Sequence, residues 1–226
     1  MPIYHKLGSI PKKRHIAHPK PDGGVYFEQL MGNKGFTGPA SLLYHIHQPT
    51  RVKSSEKLRD AGYEADPDVR LRLRHFRTEN LPKGGSPTLD RIPVVFNNDC
   101  AMLFVDADRD DDHFYRNSME DEYVFVSDGE GVLESQFGDL PFTKHDQLVI
   151  HRGILHRFRK TSDRLKLLVI ESKGYIRWPT RYRNEFGQLV EGAPFSERDI
   201  KLPSELKTYD ELGDFELIVK QYNVLS

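Results

Sequence analysis

The stretch from Ala101 to Ser172 consists of short apolar runs separated by turn residues, and this alternation limits the fold more than any other feature of the chain. The runs are rich in β-branched and aromatic residues and cover 101–106, 123–127, 132–135, 147–151, 156–159 and 165–172. Runs of this length, spaced about 8–12 residues apart, are typical of a β-sandwich or barrel. Because no helical period interrupts them, the stretch predicts an all-β fold with little helix.

The turn residues suggest how two of these strands pair. Asp128 and Gly129 separate the runs 123–127 and 132–135. Glycine tolerates the positive φ that a tight turn requires, so Asp-Gly between two strand-like runs indicates a β-hairpin. We therefore predict that 132–135 pairs with 123–127, and that the polar segment from Gln136 to His145 is a loop.

A further strand is predicted where apolar and basic residues alternate, from Val69 to Arg74. The apolar side chains are expected to face inward (Val69, Leu71 and Leu73) and the basic ones outward (Arg70, Arg72 and Arg74). Two roles for the arginines are open. They are either a solvated face paired with acidic neighbours, or a row that holds carboxylates of a substrate or partner.

Two groups of histidines outside this stretch are candidates for a metal site. His45 and His47 lie on a predicted strand from Ala40 to Gln48, where alternation puts both imidazoles on one side. They could begin a metal site, but no acidic residue stands at a nearby matching position, so a polar outer face or a contact to another subunit is the favoured explanation. His5, His15 and His18 lie in a basic, proline-containing segment that predicts an extended arm rather than a metal-binding tract.

Composition excludes several classes of function. The formal net charge is −1, which gives no long-range attraction to nucleic acid or an anionic membrane. The single cysteine, Cys100, cannot form an internal disulfide, so we expect a cytoplasmic setting. The first residues lack an apolar core and no run approaches about 20 apolar residues, so neither a signal peptide nor a membrane span is predicted. The segment Lys83–Pro87 lacks the phosphate-loop pattern.

Two spacings in the stretch resemble the motifs of the cupin family, a double-sheet jelly roll that often holds a metal. Glu122 and Gly129 fit the second half of the first motif, and Gly153 and His156 fit the end of the second, although His151 stands where the family usually has proline. The two histidine positions of the first motif fall on Tyr115 and Asn117, or one residue later on Arg116 and Ser118. Neither alignment supplies a histidine.

The metal ligands that this resemblance offers are therefore few. Only Glu122 and His156 are candidates, whereas a 2-His-1-carboxylate iron site needs three protein ligands on one face. We expect a barrel that has lost its metal, with His156 as an ordinary strand histidine hydrogen-bonded to its neighbours. A single-barrel cupin enzyme that combines Glu122 and His156 with a third, unforeseen ligand is the other possibility.

The order of several short segments along the chain, together with the residues in them, resembles the N-terminal part of the homogentisate 1,2-dioxygenase family. The matching segments are Phe114-Tyr115, Asn117-Ser118, Glu122, Asp128 to Gly131, Glu134, Phe137-Gly138, Val149-Ile150, Arg152-Gly153, Glu171, Gly174, Gly192-Ala193, Arg198-Asp199 and Pro203. The resemblance covers most of the chain and is strongest from Phe114 to Pro203. No single short motif carries it.

The resemblance implies an activity and a place for it. That family cleaves the ring of homogentisate with O₂ at a mononuclear Fe(II) to give maleylacetoacetate, in tyrosine and phenylalanine catabolism, and its members are longer and form oligomers. Their iron ligands and catalytic histidine lie in a second cupin half without a counterpart here, so no catalytic or cofactor-binding residue is carried over. We expect Fe(II), homogentisate and O₂ to bind in the complete enzyme, and this chain alone to bind no cofactor.

The resemblance and the strand pattern together predict three regions. Residues 1–40 form an extended arm, 41–205 a cupin-like β-sandwich without metal, and 206–226 either the start of a following segment or a docked terminal strand. We expect a homo-oligomer. The alternative function is a metal-free, cupin-like structural or ligand-binding subunit without catalytic activity of its own.

Overall fold

The structure is a computed structural model that describes residues 6–11, 17–68 and 70–226. Their strands are β1 (Phe27–Gly32), β2 (Ala40–His45), β3 (Arg59–Asp60), β4 (Ile92–Phe96), β5 (Cys100–Ala107), β6 (Phe114–Asn117), β7 (Asp121–Asp128), β8 (Gly131–Ser135), β9 (Gly138–Phe142), β10 (Gln147–Ile150), β11 (His156–Lys160), β12 (Leu165–Ser172), β13 (Leu217–Gln221) and β14 (Val224–Leu225). Three 3₁₀ turns, at Thr78–Asn80, Thr180–Tyr182 and Glu197–Asp199, are the only helical segments of these ranges. The all-β prediction is confirmed.

The described residues form two compact units. The first contains those within 1–55, 137–140 and 177–214, and the second those within 56–136, 141–176 and 215–226. In the first unit β1 and β2 form an antiparallel pair, with Phe27 opposite His45. The strand β1 lies inside the segment 1–40 for which an arm was predicted. No helix in the described ranges is long and apolar enough to cross a membrane.

Two larger sheets provide the sandwich. One has the strand order β10-β7-β12-β5-β4 and the other the order β3-β14-β13-β6-β11-β8-β9. The apolar strand β12 pairs antiparallel with both β5 and β7, which places Leu167 between Val105 and Val126. These three side chains are fully buried, as the alternation of an apolar strand with one inward face requires.

The predicted hairpin around Asp128 and Gly129 is wrong. The chain does turn there, and Gly129 has a φ of +95° with the position of a Cβ only 2.4 Å from the Arg164 carbonyl oxygen. However, β7 belongs to the five-stranded sheet and β8 to the seven-stranded one, so the turn passes the chain between sheets. Since β7 already pairs with β12 and β10 on its two sides, no edge remains for β8, which pairs with β11. The predicted loop 136–145 is also wrong in part, because it contains β9.

The predicted strand from Val69 to Arg74 is not present in residues 70–74, and Val69 lies outside the described residues. Leu71 and Leu73 are 104% and 103% exposed instead of facing inward. The basic side chains pair locally with acidic ones: Arg70 and Arg72 with Asp68, and Arg74 with Asp66. Alternation alone therefore does not make a strand here, because no partner strand of the described residues pairs with the segment.

The C-terminal strand β13 pairs parallel with β6, which sets Lys220 opposite Asn117. β14 then pairs with β13 and with β3. A core of Tyr115, Ile218 and Leu225 forms where these strands meet. This pairing brings a lysine from the end of the chain beside the residues of the cupin-like motif.

Candidate functional site

The structure brings together the positions that the cupin-like motifs single out. Tyr115 and Asn117 alternate along β6 and therefore face the same side, while Glu122 lies near the start of β7 and His156 at the start of β11. All four are buried. Tyr115 pairs with His156 in register, their rings lie edge to face with centroids 5.5 Å apart, and Asn117 Nδ2 donates to Glu122 Oε1 at 3.2 Å. The first of the two motif alignments thus corresponds to a spatial cluster.

An arginine that the motifs did not indicate occupies the centre of this cluster. Arg91 Nη1 donates to Glu122 Oε2 at 2.9 Å and lies 3.8 Å from Glu171 Oε1. Its Nε donates to the Pro87 carbonyl oxygen at 2.8 Å, and its side chain is 4% exposed. The carboxylate that the cupin-like motif supplies is therefore already paired with a buried cation of the same chain.

A second buried ion pair adjoins the first. Lys220 Nζ donates to Glu171 Oε2, and it also donates at 3.1 Å to Glu120 Oε2 and to the Tyr63 hydroxyl. The Tyr63 hydroxyl donates to Glu171 Oε2 at 2.6 Å. Because Glu171 lies opposite Glu122 in the β12–β7 register, the two pairs are neighbours. We call Arg91, Glu122, Glu171 and Lys220 the buried charge network.

The pKa values show how the network is charged. Burial acts to raise the pKa of Glu122, but the charge of Arg91 and its hydrogen bonds hold that pKa below the usual value. Burial acts to lower the pKa of Lys220, yet the Glu171 carboxylate raises it above the usual value. Burial and the charge of Glu122 raise the pKa of Glu171 against the attraction of Lys220. The Glu122 and Glu171 carboxylates thus keep Arg91 and Lys220 charged, and the two cations stabilise these buried carboxylates in return.

His156 has one filled and one unfilled hydrogen-bonding position. Its Nδ1 lies 3.0 Å from the Ile154 carbonyl oxygen, and because a carbonyl only accepts, Nδ1 carries the hydrogen. Its Nε2 has no hydrogen-bond partner among the described residues. Burial lowers the pKa of His156, so the imidazole is neutral at pH 7. The side chain is a buried strand histidine whose Nε2 is not used by any described residue.

The donor set of this cluster does not fit an iron site. A mononuclear iron needs a third ligand beside Glu122 and His156, and Tyr115 and Asn117 stand at the motif's histidine positions. Within 6–11, 17–68 and 70–226, no group of three or more histidine, cysteine, aspartate or glutamate side chains is placed to hold a metal ion. Both oxygens of Glu122 already accept hydrogen bonds, and the Arg91 charge beside them opposes a second cation.

The two other groups of histidines considered as metal ligands do not converge. His45 Nε2 lies 2.9 Å from Gln29 Oε1, whereas His47, beyond the end of β2, lies 2.5 Å from Asp210 Oδ1. The two imidazoles therefore have separate partners. His18 contacts the Ser9 carbonyl oxygen, and His5 and His15 lie outside the described residues. Cys100 is exposed and free.

Three residues of the buried charge network, Arg91, Glu171 and Lys220, were not predicted from the sequence. For Glu171 and Lys220, the position in the strand could have indicated a buried ion pair. Glu171 continues the inward positions of β12, which fall on every second residue from Leu165. Lys220 shares the inward parity of Ile218 on β13. A charged residue at an inward position predicts a buried partner of opposite charge. Arg91 precedes β4 and lies in no periodic pattern, so nothing local indicates its role.

Comparison with known proteins shows a relationship that extends over nearly the whole chain. No protein-family model matches. The chain is 39% identical over 226 residues to "Putative dioxygenase SSO1533" of Saccharolobus solfataricus, a match that covers 99% of this chain and 57% of that protein. The chain is thus related to that protein and spans little more than half of its length.

Solved structures resemble parts of the chain. A cupin-2 domain protein from Shewanella frigidimarina is 17% identical and matches 37% of this chain and 80% of its own, with a TM-score of 0.34. Protein NMB1881 from Neisseria meningitidis is 12% identical and matches 44% of this chain and 99% of its own, with a TM-score of 0.37. TM-scores this low do not indicate a function for this chain.

Proposed function

We propose that this chain is part of an Fe(II)- and O₂-dependent ring-cleaving dioxygenase of the homogentisate 1,2-dioxygenase type. The complete enzyme converts homogentisate to maleylacetoacetate in tyrosine and phenylalanine catabolism. Two findings support this. The chain is related over 99% of its length to a protein whose name is "Putative dioxygenase SSO1533", and segments from Phe114 to Pro203 resemble the homogentisate 1,2-dioxygenase family.

In this proposal the iron, the homogentisate and the O₂ bind to polypeptide outside these 226 residues. The chain contributes a scaffold barrel and contacts in a homo-oligomer. The observation that carries this division is the hydrogen bond from Arg91 to Glu122, because it commits the one motif carboxylate to an internal ion pair. The relative that the chain matches is long enough for a further domain, since the chain spans 57% of it.

A complementation experiment tests the proposal. The chain is purified alone, and also after co-expression with the part of the Saccharolobus relative that it does not cover. Iron content and homogentisate-dependent O₂ uptake are then measured for both preparations. We expect no stoichiometric iron and no uptake from the chain alone, and both from the co-expressed pair. The relative's part expressed alone is the control for activity that does not need this chain.

The outcomes separate the two functions that the sequence leaves open. Homogentisate-dependent uptake by the chain alone contradicts the division between scaffold and reaction site. An iron-loaded, folded pair without uptake contradicts the dioxygenase proposal and favours the metal-free structural or ligand-binding subunit. The buried charge network is compatible with that alternative too, because its cations neutralise the buried carboxylates of Glu122 and Glu171 without any metal.

A further inference from the structure

The three central strands of the five-stranded sheet are apolar at every position of their middle parts. These apolar runs cover 101–105 in β5, 123–126 in β7 and 167–170 in β12. A sheet with one face in water alternates apolar and polar residues, whereas continuous apolar runs are typical of strands that are buried on both faces. Because only one face of this sheet lies inside the sandwich, the outward face is expected to have a cover of its own.

The strand register shows which residues form the outward face. One row crosses all five strands and consists, from β10 to β4, of Val149, Tyr123, Ile170, Met102 and Val95. Val149 and Val95 are 48% and 54% exposed, and the three side chains between them are partly exposed. The neighbouring row consists of Gln147, Phe125, Leu168, Phe104 and Ile92, of which Phe104 is buried. We call these two rows the outer sheet face.

Charged groups border the outer sheet face but do not enter its two rows. His145 stacks on Phe125 at one corner, with ring centroids 6.1 Å apart. At the ends of the strands, charged side chains pair within the chain: Lys166 and Lys144 with Asp128, Arg164 with Asp106, and Arg152 with Asp121. The two rows therefore offer no counter-charge to a nucleic acid or a charged peptide, and a flat apolar surface is the partner that fits them.

A second copy of the chain supplies such a surface. Two sheets pack face to face about 10 Å apart when both facing sides are apolar, and two identical faces can do so about a two-fold axis. The formal net charge of −1 gives little repulsion between copies. We propose that two copies of the chain associate through their outer sheet faces. This inference rests on the proposed function only in that it assigns a surface to the homo-oligomer.

The size of the outer sheet face limits the strength of the association. Five strands about 4.8 Å apart and about six residues long give a face of roughly 24 by 20 Å, or about 500 Å² per copy. An apolar patch of this size is at the upper end of what monomeric proteins expose. A total of about 1,000 Å² is at the low end for specific interfaces, so we expect a dissociation constant in the micromolar range.

Sedimentation equilibrium of the purified chain tests the proposal. We expect a reversible monomer–dimer equilibrium between about 1 and 200 µM. Val149→Asp and Val95→Asp each place a charge in the contact, and both side chains are about half exposed, so the monomer tolerates the change. Each is expected to weaken dimerisation at least tenfold. Val52→Asp, at a 73% exposed valine of the first unit, is the matched control and leaves dimerisation unchanged. Circular dichroism establishes that each variant is folded.

The single cysteine locates the contact independently. Cys100 is exposed and begins β5, two residues before Met102, so it lies on the same side of the sheet. Nitroxide labels on the two Cys100 residues of a dimer are expected within about 40 Å of each other, because the packed sheets are about 10 Å apart and each face is about 20 Å long. Double electron–electron resonance measures this distance.

Three results contradict the proposal. A chain that stays monomeric up to about 200 µM excludes a second copy as the cover and favours polypeptide outside these residues. Unchanged dimerisation in folded Val149→Asp and Val95→Asp variants places the contact on another surface. Labels on Cys100 farther apart than about 40 Å do the same. Because none of these measurements involves iron, O₂ or homogentisate, failure of this proposal is distinguishable from failure of the dioxygenase proposal.

Discussion

Replacing Arg91 with alanine is expected to lower the free energy of unfolding by about 3–5 kcal/mol at neutral pH. The guanidinium is the counter-charge of Glu122, which is 1% exposed, and it also lies 3.8 Å from Glu171. Its removal leaves buried carboxylate charge without a partner. Urea denaturation at pH 7 measures the loss, and a loss below about 1 kcal/mol, typical of an exposed ion pair, would contradict the account.

The pH dependence gives this prediction a second readout. In the wild type the pKa of Glu122 is held below its usual value, so the ion pair stabilises the fold above the unfolded pKa, and that contribution is lost as the pH falls through the folded one. Without Arg91, burial raises the folded pKa of Glu122, so the deficit of Arg91→Ala shrinks as the pH falls. The double variant Arg91→Ala/Glu122→Gln is the control and should recover a large part of the loss at pH 7.

Replacing Asp121 with asparagine is expected to cost about 2–4 kcal/mol. This fully buried carboxylate accepts hydrogen bonds from His151 Nδ1 at 3.1 Å, from Arg152 N and Nε at 3.1 and 2.9 Å, and from Ile176 N at 2.9 Å. An amide has one acceptor oxygen instead of two, and its NH₂ group then faces donors. These hydrogen bonds connect the turn after β10 to the segment after β12, so the substitution is expected to loosen both segments.

The loss of folding stability as the pH falls tests the role of Asp121. Burial acts to raise its pKa, but the hydrogen bonds from His151, Arg152 and Ile176 hold the pKa well below the usual range. Its contribution is therefore present above the unfolded pKa of about 3.9 and is lost as the pH falls through the folded value. Denaturation between pH 7 and pH 3 should show a smaller acid loss in Asp121→Asn than in the wild type. The exposed control Asp163→Asn is expected to change stability by less than about 0.5 kcal/mol, and equal losses in both variants would contradict this role.

Strand positions follow from the sequence where one face is continuously apolar. The run 165–172 is β12, because its inward residues alternate without interruption from Leu165 to Glu171. Strand partners do not follow in the same way. Gly129 encodes a reversal of the chain, but whether the next strand joins the same sheet depends on β10 and β12, which are distant in sequence. The run 70–74 shows the converse, since alternation is present and a partner strand is not among the described residues.

The candidate site was predictable in part for the same reason. Motif spacing brings Glu122, His156, Tyr115 and Asn117 together, because each position is fixed by its strand and its parity. The partner that decides the chemistry, Arg91, comes from outside any regular element before β4. Its pairing with Glu122 results from folding of the whole sandwich, so no local pattern records it.

In the proposed function, the carboxylates of Glu122 and Glu171 are neutralised by cations of this chain, and iron binds to other polypeptide. Crystals of the chain grown anaerobically with Fe(II) and measured at the iron absorption edge test it most directly. We predict no anomalous peak between Glu122 and His156, with Arg91 Nη1 bound to Glu122 as in this structure. An iron peak within about 2.0–2.2 Å of both Glu122 and His156, with Arg91 displaced, would contradict the claim.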